Sequence, residues 1–196
     1  VSLTGSSNTV KASNYRFIGT TGSDTDGIII SGDNNELTTT GNIGVASLTG
    51  DLNTVTVTNN LDVNDAAAPD LTVDGSSNEL DLTLNGASPS GAIGFNIFGG
   101  SNSVLATFTN IGTSIALDIG ASDETSASND VDIDATGYSK FELSILGDSN
   151  KYDFIGTGTG EVYGAIDGDN NSQILRMSSG DATGYVAGNI STRITG

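Results

Sequence analysis

Cysteine, histidine and tryptophan are all absent from this 196-residue chain, and each absence closes a class of function. Without cysteine, no disulfide staples the fold and no thiol does chemistry. Without histidine or cysteine, Ser-His-Asp and Cys-His nucleophilic arrangements are excluded, together with His- or Cys-ligated zinc and haem sites. Basic residues are scarce. Lys11, Lys140, Lys151, Arg16, Arg176 and Arg193 stand against 24 acidic residues, giving a formal net charge of −18. Such a surface repels phosphate backbones, which bind through clustered Lys and Arg with counterion release, so nucleic acid is not expected as a partner. No stretch approaches the roughly 18 apolar residues that cross a bilayer, and membrane insertion is not expected either. The opening Val1-Ser-Leu-Thr-Gly-Ser-Ser lacks the basic and then apolar regions of a secretory signal. It fits either a leader already removed or loss of an initiator Met, the second implying cytoplasmic synthesis and a release route such as phage lysis.

Against these absences stands one recurring turn, a Gly-x-x-Asn step between stretches of alternating apolar residues. It occurs as Gly5-Ser-Ser-Asn8, Gly32-Asp-Asn-Asn35, Gly50-Asp-Leu-Asn53, Gly75-Ser-Ser-Asn78, Gly99-Gly-Ser-Asn102, Gly147-Asp-Ser-Asn150 and Gly168-Asp-Asn-Asn171. An eighth copy, Ser126-Ala-Ser-Asn129, lacks the glycine. The asparagines recur every 18 to 27 residues, a period that marks stacked supersecondary units. Gly accepts positive φ, and Asn or Asp side chains bond back to nearby backbone, so each copy reads as a turn with a mechanism.

Period-two alternation marks strands at Val55–Val57, Leu71–Val73, Leu80–Leu84, Phe95–Ile97, Val131–Ile133 and Phe141–Ile145, one face apolar and the other Thr, Asp, Ser or Asn. No helix is expected, because Asp65-Ala-Ala-Ala runs at once into Pro69. Bulky apolar residues sit singly, which predicts a thin core of Val, Ile and Leu. Three longer irregular stretches, 59–70, 86–92 and 120–129, interrupt the pattern as loops, with no composition shift that divides the chain. Residues 1–196 therefore read as a single β-repeat domain.

The turn resembles that of the curlin repeats of secreted bacterial amyloid fibres, most closely in Ser47-Leu-Thr-Gly50-Asp-Leu-Asn53-Thr-Val-Thr-Val57 and Thr72-Val-Asp-Gly75-Ser-Ser-Asn78-Glu-Leu-Asp-Leu82. That resemblance implies a strand, a turn and a second strand forming one rung of a solenoid. The Thr, Gly, Asn and Asp texture is also similar to surface-layer proteins and phage decoration or fibre proteins.

Only carboxylates remain for chemistry. Asp130, Asp132 and Asp134 alternate along one strand and share a face, as paired glycosidase carboxylates do, but Val131 and Ile133 between them point to the solvated side of a half-buried strand. Ser23-Asp24-Thr-Asp26-Gly27 and Asp167-Gly-Asp169-Asn-Asn171 place oxygen ligands at alternate positions, as calcium loops do. Asp24, Asp26, Asp167 and Asp169 are thus weak calcium candidates, since neither loop supplies the glutamate of an EF-hand and turns of this composition are commonly only turns. Gly156-Thr-Gly158-Thr-Gly160 has no following lysine and reads as a flexible turn, not a phosphate cradle. The aromatic clusters Tyr15 and Phe17, Tyr138 and Phe141, and Tyr152 and Phe154 read as core or interface packing more than as a carbohydrate-binding strip.

The expectation is an all-β protein, a parallel β-solenoid of roughly eight irregular repeats, with an antiparallel β-sandwich or jelly roll as the alternative. No catalysis and no cofactor beyond possible calcium are expected. The leading functional expectation is a structural subunit at a virion surface, such as a capsid decoration or fibre protein, self-associating as a homotrimer and contacting virion or cell-surface proteins. The alternatives are a secreted surface-layer or curlin-like filament subunit and a carbohydrate-binding or tailspike-like solenoid.

Overall fold

The computed structural model describes residues 2–16, 28–42, 45–60, 70–86, 93–112, 114–120, 127–157, 161–177, 182–187 and 190–195. Strands β1 (Ser2–Thr4), β3 (Ile28–Ser31), β5 (Val45–Thr49), β7 (Asp70–Asp74), β9 (Ile93–Phe98), β11 (Ser114–Ile119), β13 (Lys140–Leu146), β15 (Glu161–Asp167) and β17 (Ala182–Ala187) form one sheet in that order. Strands β2 (Thr9–Arg16), β4 (Glu36–Asn42), β6 (Thr54–Asn60), β8 (Glu79–Asn85), β10 (Ser103–Thr109), β12 (Asp130–Thr136), β14 (Lys151–Thr157), β16 (Asn171–Met177) and β18 (Ile190–Thr195) form the second. Neighbouring strands pair in parallel in both sheets, as between β8 and β10 or β11 and β13, and no helix occurs among the described residues. The chain is a parallel β-solenoid, each rung one odd strand, one turn and one even strand.

Nine strands per sheet make nine rungs, one more than the eight copies of the turn. The extra rung is β17 and β18, linked through Gly188-Asn189, where the two residues between Gly and Asn are missing from the sequence. The irregular period has a simple geometric origin. Connections from even to odd strands range from residues 43–44 to residues 17–27 in length, whereas most odd-to-even connections keep the four-residue turn. The exceptions are 188–189, shorter by two residues, and 120–129, which carries its extra residues before the degenerate copy.

Alternation puts every second side chain inside, as the burial of β8 and β10 illustrates. Rungs 2 to 4 bury Ile30, Leu37, Leu48, Val55, Val57, Leu71, Val73, Leu80, Leu82 and Leu84, the thin aliphatic core expected from the sequence. Farther along, aromatic side chains join the aliphatic ones, in keeping with the reading of the Tyr138 and Phe141 and the Tyr152 and Phe154 clusters as core or interface packing. Phe95 packs on Phe108 with ring centroids 5.5 Å apart, Phe141 on Phe154 at 4.6 Å, and Tyr138 meets Phe154 edge-on at 5.8 Å. Few aromatics in the whole chain still make an aromatic core, because Tyr138, Phe141, Tyr152 and Phe154 all point inward. Gly156 is part of this packing and not of a flexible turn: it lies in β14, where a Cβ would come 2.5 Å from the Tyr138 hydroxyl. Residues 158–160 of the same glycine-rich run, and Asp65 to Ala68, lie outside the described residues.

The turns stack as well as the strands. In each, the residue before Asn is left-handed, with φ near 60° from Ser7 through Leu52 to Ser149, and the leading glycine is at positive φ, 147° at Gly75. Glycine is required there twice over, since a Cβ on Gly75 would also meet the Gly50 carbonyl oxygen at 2.1 Å. The local bond that the sequence suggested is seen where Asn102 Nδ2 donates to the Phe98 carbonyl at 3.4 Å, but the recurring bonds of the asparagines run between rungs. The asparagines are buried, and each Oδ1 accepts the backbone N–H of the preceding rung's asparagine: Asn8 to Asn35 (3.0 Å), Asn35 to Asn53 (2.8 Å), Asn53 to Asn78 (2.8 Å), Asn78 to Asn102 (2.9 Å), Asn102 to Asn129 (2.8 Å), Asn129 to Asn150 (3.0 Å) and Asn150 to Asn171 (2.8 Å). Several Nδ2 groups donate to the same Oδ1, as Asn78 does to Asn102 at 3.1 Å, while Asn102 Nδ2 donates to the Gly75 carbonyl at 3.0 Å. Eight asparagines thus form one continuous interior ladder.

Substituting a middle rung should cost far more than substituting the first. Asn102→Ala strands the buried Asn78 N–H and amide without their acceptor, so a loss of about 3 kcal/mol in denaturant unfolding is expected. Asn8→Ala, at the partly exposed end, should cost under about 1 kcal/mol. Equal losses at the two positions would contradict the ladder.

Candidate functional site

The outer face of the even sheet carries the chain's densest charge. On β12, Asp130, Asp132 and Asp134 point outward in the expected alternation, while Val131 and Ile133 are buried. In-register pairing sets Lys151 beside Asp130, Asp153 beside Asp132 and Ile155 beside Asp134. Lys151 Nζ lies 2.8 Å from Asp130 and 3.7 Å from Asp132, and these carboxylates raise its pKa. Arg176 Nη1 reaches both oxygens of Asp153, at 2.8 and 3.1 Å. Among the described residues, Asp134 has no ion pair or hydrogen-bond partner.

Beside Asp134 the face is indented. A hollow of about 160 Å³ is lined by Leu105, Asp132, Ile133, Asp134, Asp153 and Ile155. Leu105 is 53% and Ile155 41% exposed, unusual for aliphatic side chains here. The sequence did hold a signal for both. In Val104-Leu-Ala106 and Phe154-Ile155 an apolar residue occupies the outward parity, breaking the alternation that keeps Thr, Ser or Asp on that side.

Of the calcium candidates, only Asp167 and Asp169 fall among the described residues. Asp24 and Asp26 lie outside the described residues. Asp167 ends β15 as an exposed residue, and Asp169 is exposed in the following turn, where its N–H donates to Asp148 Oδ1 at 2.7 Å. That bond belongs to a second, outer ladder. Asp51 N–H donates to Asp33 Oδ1 at 2.9 Å and Ser76 N–H to Asp51 Oδ1 at 2.6 Å, so these turn aspartates link rungs by hydrogen bonding. Among the described residues, no group of three or more Asp or Glu is placed to hold a metal ion.

The odd sheet's outer face is less charged. Asp118 has a raised pKa, through burial first and then Glu142, opposed by a hydrogen bond from Ser144. Lys140 bonds Glu142 and sits 4.8 Å over the ring of Tyr163, the one exposed aromatic among the described side chains. Tyr138 and Tyr152 keep their phenols buried without hydrogen-bond partners among the described residues, and desolvation raises both pKa values.

No family, no characterised protein and no solved structure matches this chain. Any functional reading therefore stands on its own geometry.

Two outcomes are expected. Because the described turn aspartates already link rungs by hydrogen bonds, EDTA should lower the melting temperature only slightly, and sodium at equal ionic strength should restore most of what calcium does; complete unfolding in EDTA would show a structural calcium. Asp118→Asn should raise the melting temperature at neutral pH. A raised carboxyl pKa contributes stability below the ordinary value of 3.8 and loses it as pH rises through the raised value, so the gain from the substitution should fade on acidification below 3.8.

Proposed function

We propose that this chain is a non-catalytic structural subunit of an extracellular assembly, and within that class a virion surface protein of the capsid-decoration or fibre type. The observation that carries this reading is the uniform build. Interior and turn ladders lock rung to rung, while Asp130, Asp132 and Asp153 are salt-bridged and Asp134 is open to solvent, unlike an acid-base pair held in a desolvated cleft. A structure of this kind supplies a rigid spacer with two decorated faces.

A glycan-active solenoid is less well supported. Tyr163 is the exposed aromatic among the described side chains, and Lys140 lies over its ring, where a sugar would stack. A surface-layer or curlin-like filament subunit is the stronger alternative. In this chain β1, β2, β17 and β18 each pair on one side only, and translation of a copy along the axis would add rung to rung in a contact that extends without closing.

Self-association is the common requirement. Light scattering at micromolar concentration should give a species larger than the monomer, a homotrimer being the first expectation for a virion fibre and an open series for a filament. A stable monomer that also fails to assemble on any particle defeats both. The purified protein should turn over no glycan, ester or phosphate; reproducible hydrolysis lost in Asp132→Asn or Asp134→Asn overturns the non-catalytic reading.

A further inference from the structure

We infer that the hollow between β10 and β14 is a docking site for a basic partner protein, receiving one arginine side chain flanked by aliphatic residues. This extends the structural-subunit reading by one contact surface, and its test reads the hollow alone, so self-association can fail while the hollow still binds.

The argument begins with charge. On β12 and β14 most carboxylates have a cation of the chain's own: Lys151 serves Asp130 and Asp132, and Arg176 serves Asp153. Asp134 is the exception among the described acidic residues of β12 and β14, and it adjoins the apolar walls. Its register neighbours are Thr107 on β10 and Ile155 on β14, neither able to supply a positive charge.

The shape of the missing group follows from the walls. Leu105 and Ile155 are exposed aliphatic surface on either side of β12, the strand that carries Asp132 and Asp134. A compact inorganic cation would leave that surface wet. An arginine stem would cover it, while the guanidinium met Asp134 in the planar, two-bond geometry that carboxylates accept. Arg176 shows an arginine on this face one position away, lying beside Ile155 in register with Nη1 shared between both oxygens of Asp153. A volume of about 160 Å³ suits one long side chain and little more. Flanking aliphatic residues on the partner would then rest on Leu105 and Ile155. The net charge of −18 adds long-range attraction for a basic partner and repels acidic ones.

The probe is the capped tripeptide acetyl-Leu-Arg-Leu-amide, titrated into the full chain and followed by the methyl resonances of Leu105 and Ile155. Two control peptides replace the arginine with norleucine or both leucines with serine. Saturable shifts at these methyls are expected with the arginine peptide, and affinities about tenfold weaker with either control, since a charge-assisted contact and the apolar cover each contribute on that scale. Asp134→Asn and Leu105→Ser should each weaken binding of the arginine peptide to a similar degree, whereas Thr56→Ser, elsewhere on the same face, should not. Equal binding of all three peptides, absence of saturation, or unchanged affinity in Asp134→Asn overturns the proposal. Should either variant fail to fold, the comparison of the three peptides on the unaltered chain still decides.

Discussion

A buried amide has to find partners on every side, and in this molecule the asparagine of one rung finds them in the asparagine of the next. The backbone N–H of each residue and, in several rungs, its side-chain amide converge on one Oδ1 of the following rung. An interior amide left without partners costs about 1–3 kcal/mol, so the ladder penalises any rung that drifts in height or slides in register. The glycine and the left-handed residue before each asparagine bring that side chain to the same corner in every rung. Strand pairing alone would not do this, because parallel strands of Val, Thr and Leu can slip by two residues without exposing the core.

Fixing one edge frees the other. With turns aligned through Asn and through Asp33, Asp51, Asp148 and Asp169, the connections from even to odd strands vary in length without disturbing either sheet. The ladder also tolerates loss of its glycine, for Ser128 keeps φ at 60° and Asn129 still bonds to both Asn102 and Asn150. Core composition then changes from aliphatic to aromatic along the axis, and the outer faces are left to vary. Function on such a scaffold lies in which outward positions depart from Thr and Ser. On the even sheet those departures gather around β12 and β14.

Much of this architecture was legible in the sequence, and the reasons differ by element. Alternation located β6, β7, β8, β9, β12 and β13, and the Gly-x-x-Asn copies located the turns. The ninth rung was not legible, because its linker Gly188-Asn189 lacks the spacing that identified the others. Tyr138, Phe141, Tyr152 and Phe154 were legible as packing residues from their clustering, whereas composition alone, which suggested a core of Val, Ile and Leu, did not reveal how far aromatics share the inward parity. The role of asparagine was misassigned, since a turn residue bonding within its own turn and one bonding to the next rung leave the same local pattern. Only recurrence at a constant offset from glycine, across irregular intervals, distinguishes them. For the candidate site, Asp130, Asp132 and Asp134 were found by spacing, but Leu105 and Ile155, the residues that give the face its shape, were hidden in runs that read as ordinary core.

The ladder is best tested by native-state hydrogen exchange of the asparagine backbone amides. If Oδ1 of the next rung holds each one, then Asn53, Asn78, Asn102 and Asn129 should exchange only through the largest opening of the molecule, with the same free energy as core amides of β8 and β10. Exchange of these four at the rate of exposed turn amides would show that the turns are stacked without being held, and the account would fail at its centre.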